Sequence, residues 1–239
     1  MHPRTAILLA AGVLFVISAW LPFGTTILYP LTLFTTWVHE MGHGLTALAI
    51  GGRFTELVIR SDAGGYAMAG AAGGWPDALV DAGGLLAPPI VGSLILAFVH
   101  GPRRARIVLA LLAGALVASV IVYVRSVTGV IAMPIVAVLL GWASWRGFAD
   151  KPHRRVVLAQ MLGVMLALDT VTRMVGYAMS TEARPGEKSD VQNIADQLGG
   201  PYWMWGLAII AIALSLLALS AWWAWRRPER VDPAAGRSR

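Results

Sequence analysis

Long apolar runs, separated by short polar or glycine-rich stretches, make up most of the chain. A helix that crosses a bilayer needs about 20 predominantly apolar residues. Seven segments reach that length: 5–23, 27–50, 79–99, 105–124, 128–146, 156–179 and 202–225. Trp20, Trp75, Trp142, Trp145, Trp203, Trp205, Trp222, Trp223 and Trp225 lie near their ends. Tryptophan favours that depth because its ring is half apolar and half polar. The first run follows MHPR and lacks a small-x-small cleavage site, so it reads as a retained span rather than a signal peptide. The pattern predicts an all-α polytopic membrane protein with about seven transmembrane helices.

The polar interruptions add three elements. Between the second and third spans lies GGRFTELVIRSDAGGYAMAGAAGG. Phe54, Leu57 and Ile59 precede a Ser-Asp-Ala-Gly-Gly turn, and Tyr66 and Met68 follow, which predicts a short β-hairpin. The longest polar loop is 180–201. In it, Ser189 followed by Gln192 forms a capping pattern, and Val191, Ile194 and Leu198 share one face. A short amphipathic helix is expected there, on the bilayer surface or over the bundle, ended by Gly199, Gly200 and Pro201. Residues 226–239 read as a basic, disordered tail. No repeat divides the rest, so 1–225 is expected to be a single integral-membrane domain.

Composition narrows the class. The chain of 239 residues is 57% hydrophobic and 13% charged. Soluble domains carry about 25% charged residues, so this chain could not solvate a soluble domain's surface. It has no cysteine, which excludes disulfides, thiolate metal sites and a cysteine nucleophile. The net charge of +6 comes mainly from arginines in short loops and the tail, with no basic face interleaved with aromatics. Nucleic acid is therefore not an expected partner; the lipid bilayer is. With seven spans, Arg103, Arg104, Arg106, Arg146, Lys151, Arg154, Arg155 and the five tail arginines fall on one side. The excess places that side, and the C-terminus, in the cytoplasm and the hairpin outside.

The second span carries the chemistry. TTWVHEMGHGLTALAIGG places His39, Glu40 and His43 in a run that otherwise reads as lipid-facing. Residues four apart share a helix face, so the two imidazoles can bind one Zn2+ ion. Glu40 can then act as general base on a water at that ion. This is the H-E-x-x-H pattern of zinc metalloproteases. One charged residue at mid-span costs about 2.5–3.5 kcal/mol on insertion scales, so a chance polar cluster is disfavoured. Thr32, Thr35, Thr36 and Thr46 are candidates to orient the imidazoles or to bond their own backbone.

A catalytic zinc site needs a third protein ligand. His2, His100 and His153 are terminal or in loops. Asp169 sits within the sixth span, where a carboxylate is expected to be functional. It reads either as the third ligand or as the ion-pair partner of Arg173, four residues on. Asp190 is accounted for as the first residue of the capped helix, and Asp81 as an interfacial cap. Gly83, Gly84, Pro88 and Pro89 in DAGGLLAPPIVG predict a broken helix, either a cleft wall or a tight packing seam.

HEMGHG inside a span, GGRFTEL after it and AGGLLAPPIVG in the next resemble the site-2 protease class of intramembrane zinc metalloproteases. They are closest to its small bacterial M50B-like branch, and LALDTVTR and KSDVQNIADQLGGP extend the likeness to about residue 205. The resemblance implies zinc held by His39, His43 and an intramembrane aspartate, which maps onto Asp169, with Glu40 as base. Leu168 and Thr170 flank that aspartate, where better-known members place a glycine after it. The resemblance also tends to place the hairpin on the cytoplasmic side, opposite to the charge pattern. The expected function is an intramembrane endopeptidase acting on membrane-embedded protein segments in a bacterial cell membrane. The alternative is a non-catalytic binding or scaffold relative that keeps the fold.

Overall fold

The structure, a computed structural model, describes residues 28–177, 182–184 and 186–226, together with Gly12, Val13, Ile17, Leu21 and Thr26. The expected first span and the tail beyond Arg226 lie outside the described residues. The described elements are α1 (Tyr29–Ala49), β1 (Arg53–Ile59), β2 (Gly65–Gly70), α2 (Trp75–Phe98), α3 (Pro102–Val122), α4 (Val127–Trp145) and α5 (His153–Tyr177). After these come β3 (Glu182–Arg184), β4 (Glu187–Lys188), α6 (Asp190–Leu198) and α7 (Tyr202–Arg226).

Five of these helices are long and apolar enough to cross a membrane: α2, α3, α4, α5 up to Arg173, and α7 up to Trp223. Their outward faces carry Leu111, Ile121, Val138 and Leu139, all exposed, as lipid contact requires. The second expected span, α1, has 21 residues but is less apolar than those five, because Thr35, Thr36, Glu40 and His43 lie along it. Those four are buried against protein, so α1 is an inner helix rather than a lipid-facing one.

α2 is the hub. It packs against α1, α5, α6 and α7. Small residues allow the approach: a Cβ at Gly42 would meet Ala87 and the Gly83 carbonyl, and one at Gly92 would meet the Gly163 carbonyl. The expected break at Pro88 and Pro89 does not occur, since α2 runs from Trp75 to Phe98 through both. Pro89 cannot donate to the Leu85 carbonyl, which lies one turn back. The Thr170 hydroxyl of α5 donates to it instead, at 3.0 Å. That replacement keeps the helix intact.

The predicted hairpin is present. β1 and β2 pair antiparallel from Arg53↔Gly70 to Ile59↔Gly65, with an irregularity between Phe54 and Glu56. The turn holds Ala63 at φ 64°, a left-handed conformation rare for a residue with a side chain. β1's other edge is tied to the α3–α4 connection: Leu57 N–H donates to Tyr123 O at 2.8 Å and Arg125 N–H to Leu57 O at 2.9 Å. Phe54 stacks on Tyr123 with ring centroids 3.9 Å apart. The short β3–β4 pair was not anticipated in the polar loop before α6.

The amphipathic helix forms as α6, with the Ser189 side chain accepting from Gln192 N–H. Its Val191 and Ile194 pack with Ala78, Leu85 and Ile209, so it lies against α2 and α7.

Candidate metal centre

His39 and His43 stand one turn apart on α1, and their rings meet edge to face with centroids 4.7 Å apart. His43 Nδ1 lies 2.9 Å from the Val80 carbonyl of α2. A carbonyl only accepts, so Nδ1 carries a proton, and Nε2 is the nitrogen turned towards His39 and Asp190. Such a bond fixes ring orientation in metal-binding histidines. Gly84 makes room for that ring, because any side chain there would collide with the His43 imidazole.

Into this corner α6 brings Asp190. Its Oδ2 lies 3.1 Å from His39 Nε2 and 3.6 Å from His43 Nε2, and the two Nε2 atoms are 3.1 Å apart. Tetrahedral ligands bonded at about 2.0–2.1 Å stand roughly 3.3 Å from one another. The three atoms therefore match the spacing of a single zinc ion. Burial pushes the Asp190 carboxyl up, but the imidazoles beside it, His43 first, outweigh this and hold it well below the usual carboxylate range. Asp81 of α2 also lies close, its carboxylate within 4.8 Å of ligand atoms of His43 and Asp190. It belongs to the centre's surroundings rather than to an interfacial cap.

Glu40 is buried, and among the described residues its carboxylate makes no hydrogen bond. The hairpin covers it: a Cβ on Gly65 would stand 2.9 Å from Glu40 Oε1, inside van der Waals contact. Glycine at the start of β2 thus lets the strand close over the carboxylate.

Of the expected site residues, His39, Glu40 and His43 come together and Asp169 does not join them. Asp169 Oδ2 forms an ion pair with Arg173 Nε at 2.9 Å, and Oδ1 accepts from the Thr35 hydroxyl at 3.2 Å. Thr35 lies one turn before His39, so Asp169 sits beside the centre and is occupied with Arg173. The threonines do not orient the imidazoles. Thr32 bonds Leu28 O, and Thr36 bonds Ala63 O in the hairpin turn at 2.7 Å.

Asp190 is the residue that reading the sequence alone assigned to a different job. It is the first residue of a capped helix, which suffices to explain a carboxylate there. The overlooked signal is the apolar face of that helix, which returns it to the bundle. Beyond Ser189, a bidentate Arg60–Glu187 pair at 3.1 and 2.8 Å ties the segment before α6 to the hairpin turn. Lys188 and Gln192 both bond Asp196, at 2.5 and 2.6 Å.

The Peptidase M50B-like family model matches residues 7–220. The chain belongs to that family. Nothing matches among curated proteins or solved structures. Peptidases of this kind are generally zinc-dependent, and the apolar helices make this member an integral membrane protein.

Proposed function

We propose that this M50B-like protein is an intramembrane zinc endopeptidase that cuts peptide bonds in membrane-embedded segments of other proteins. The observation that carries the reading is the convergence of His39 Nε2, His43 Nε2 and Asp190 Oδ2 beside the buried Glu40 carboxylate. His39, His43 and Asp190 would hold the zinc, and Asp169 would not. Zinc there would supply a Lewis acid that polarises the scissile carbonyl and acidifies a water.

The chain's own residues do the rest. Glu40 takes a proton from the water as its oxygen bonds to the carbonyl carbon. It returns that proton to the amide nitrogen as the C–N bond breaks, leaving a carboxylate and an amine. With no hydrogen bond among the described residues, Glu40 is available for both transfers. His43 is held for ligation by Val80 O, and Gly65 shuts bulk solvent from the base.

A helical substrate hides its carbonyls, so the segment cut must be unwound. β2 pairs only with β1 among the described strands, leaving its outer backbone edge for an extended segment. An open groove of about 920 Å³ is lined by residues of both hairpin strands, Arg53, Tyr66 and Met68 among them, and by Ile50 and Trp75. That three candidate ligand atoms meet without Asp169 supports the catalytic reading over a non-catalytic relative that keeps the fold.

The test is Glu40→Gln in purified, zinc-loaded protein reconstituted with single-span substrates. Cleavage is expected to vanish while zinc content and thermal unfolding stay unchanged. Cleavage that survives the substitution ends the proposed mechanism.

A further inference from the structure

Arg173 has partners that fix it in place but do not use it up. Asp169 takes its Nε, and Nη2 lies 3.1 Å from Thr35 Oγ1 and 3.2 Å from Thr36 Oγ1. Nη1 makes no hydrogen bond among the described residues, and the side chain is 39% exposed. Thr36 stands one helical turn before Glu40, about 6 Å along the axis. The hairpin turn that covers Glu40 also touches this group, since Thr36 donates to Ala63 O. A cation is thus held beside the base, with its Nη1 edge unused among the described residues.

The proposed hydrolysis has a use for it. When water adds to the carbonyl carbon, the C=O π pair moves onto the carbonyl oxygen. A preorganised donor aimed at that oxygen lowers the barrier because it need not reorient. Arginine suits the role, since it stays protonated and directs its donors in a fixed plane.

We infer that Arg173 is a further catalytic residue of this hydrolysis: its Nη1 edge holds the scissile carbonyl oxygen and stabilises the charge that gathers there. The inference rests on the endopeptidase reading. Arg173 gives up no proton; the electron pair returns to the C–O bond as the C–N bond breaks. Asp169 is then a positioning residue, and its carboxylate is explained without metal ligation.

Two probes separate this role from a structural one. N-phosphoryl-leucyl-tryptophan carries an anionic tetrahedral centre, whereas leucyl-tryptophan hydroxamate ligates metal without one. Both are titrated against zinc-loaded full-length protein in micelles. Arg173→Gln is expected to weaken the phosphoryl compound on the order of 10–100-fold, the range of one charge-assisted hydrogen bond. Zinc content and hydroxamate affinity stay unchanged, and Arg173→Lys retains part of the loss. Because Arg173→Gln strands the Asp169 charge, Asp169→Asn with Arg173→Gln serves as the neutral control and is expected to give the same selective loss. An equal loss for both compounds, or none for either, overturns the role of Arg173 alone. Wild-type protein that takes up zinc but binds neither compound overturns the endopeptidase reading with it.

Discussion

Asp169 and Asp190 are both carboxylates near the H-E-x-x-H turn, and their neighbours separate them. Asp169 meets a cation on its own helix, one turn away. Asp190 meets two imidazole nitrogens across the interface of α6 with α1. The proposed ligand set therefore predicts opposite outcomes for two substitutions. Asp190→Ala is expected to abolish stoichiometric zinc binding, as His39→Ala does. Asp169→Ala is expected to retain zinc and to lower stability by about 1–2 kcal/mol. That is less than for a fully buried pair, because Arg173 is 39% exposed. Metal analysis of the three purified proteins decides it, and zinc lost from the Asp169 variant would restore that residue to the ligand set.

Among the elements, α2 shows how a local sequence signal is overruled. Two adjacent prolines and two glycines argue against a helix, yet the helix continues because α5 supplies the missing donor through Thr170. Thr170→Val keeps the shape and removes the donor. It leaves the Leu85 carbonyl buried and unpaired, at an expected cost of about 1–3 kcal/mol. Thermal unfolding in detergent measures that loss, and a neutral outcome would mean that the freed carbonyl finds another donor. The same glycines answer the question left open for DAGGLLAPPIVG: Gly83 receives Thr46 in a packing seam, and Gly84 receives the His43 ring. The segment is both a seam and a wall.

At the scale of the molecule, the proposed zinc joins α1, early in the chain, to α6, late in it. Without metal, side-chain contacts and the Arg60–Glu187 pair help keep α6 in place. Chelation is expected to raise amide hydrogen exchange in α6 and in Glu187–Ser189 while α2 and α5 stay protected. Uniform exchange across all helices, or no change, would remove the metal from this joint. The hairpin and the α3–α4 connection share one end of the bundle. The arginine-rich ends of α3, α4 and α5 lie at the other. The charge asymmetry predicts that the hairpin end faces outward. A chain without native cysteine makes the check simple. Ser61→Cys is expected to react with an impermeant maleimide on intact cells and Lys151→Cys is not; the reverse pattern would invert the topology.

The sequence by itself determined what is local or set by the solvent. Span length follows from bilayer thickness, so α2 to α5 and α7 were legible within a few residues. His39, Glu40 and His43 were legible because helical spacing alone puts them on one turn. The hairpin and the Ser189 cap were legible from turn and capping residues. What α1 packs against was not legible, because the sequence does not say whether a polar face meets lipid or protein. The tertiary structure decided that, and it decided which aspartate reaches the imidazoles. Asp169 could satisfy itself within one helix, whereas Asp190 reaches His39 only because Val191 and Ile194 dock α6 onto α2 and α7. That docking depends on contacts between segments far apart in the chain, and no spacing within either segment encodes it.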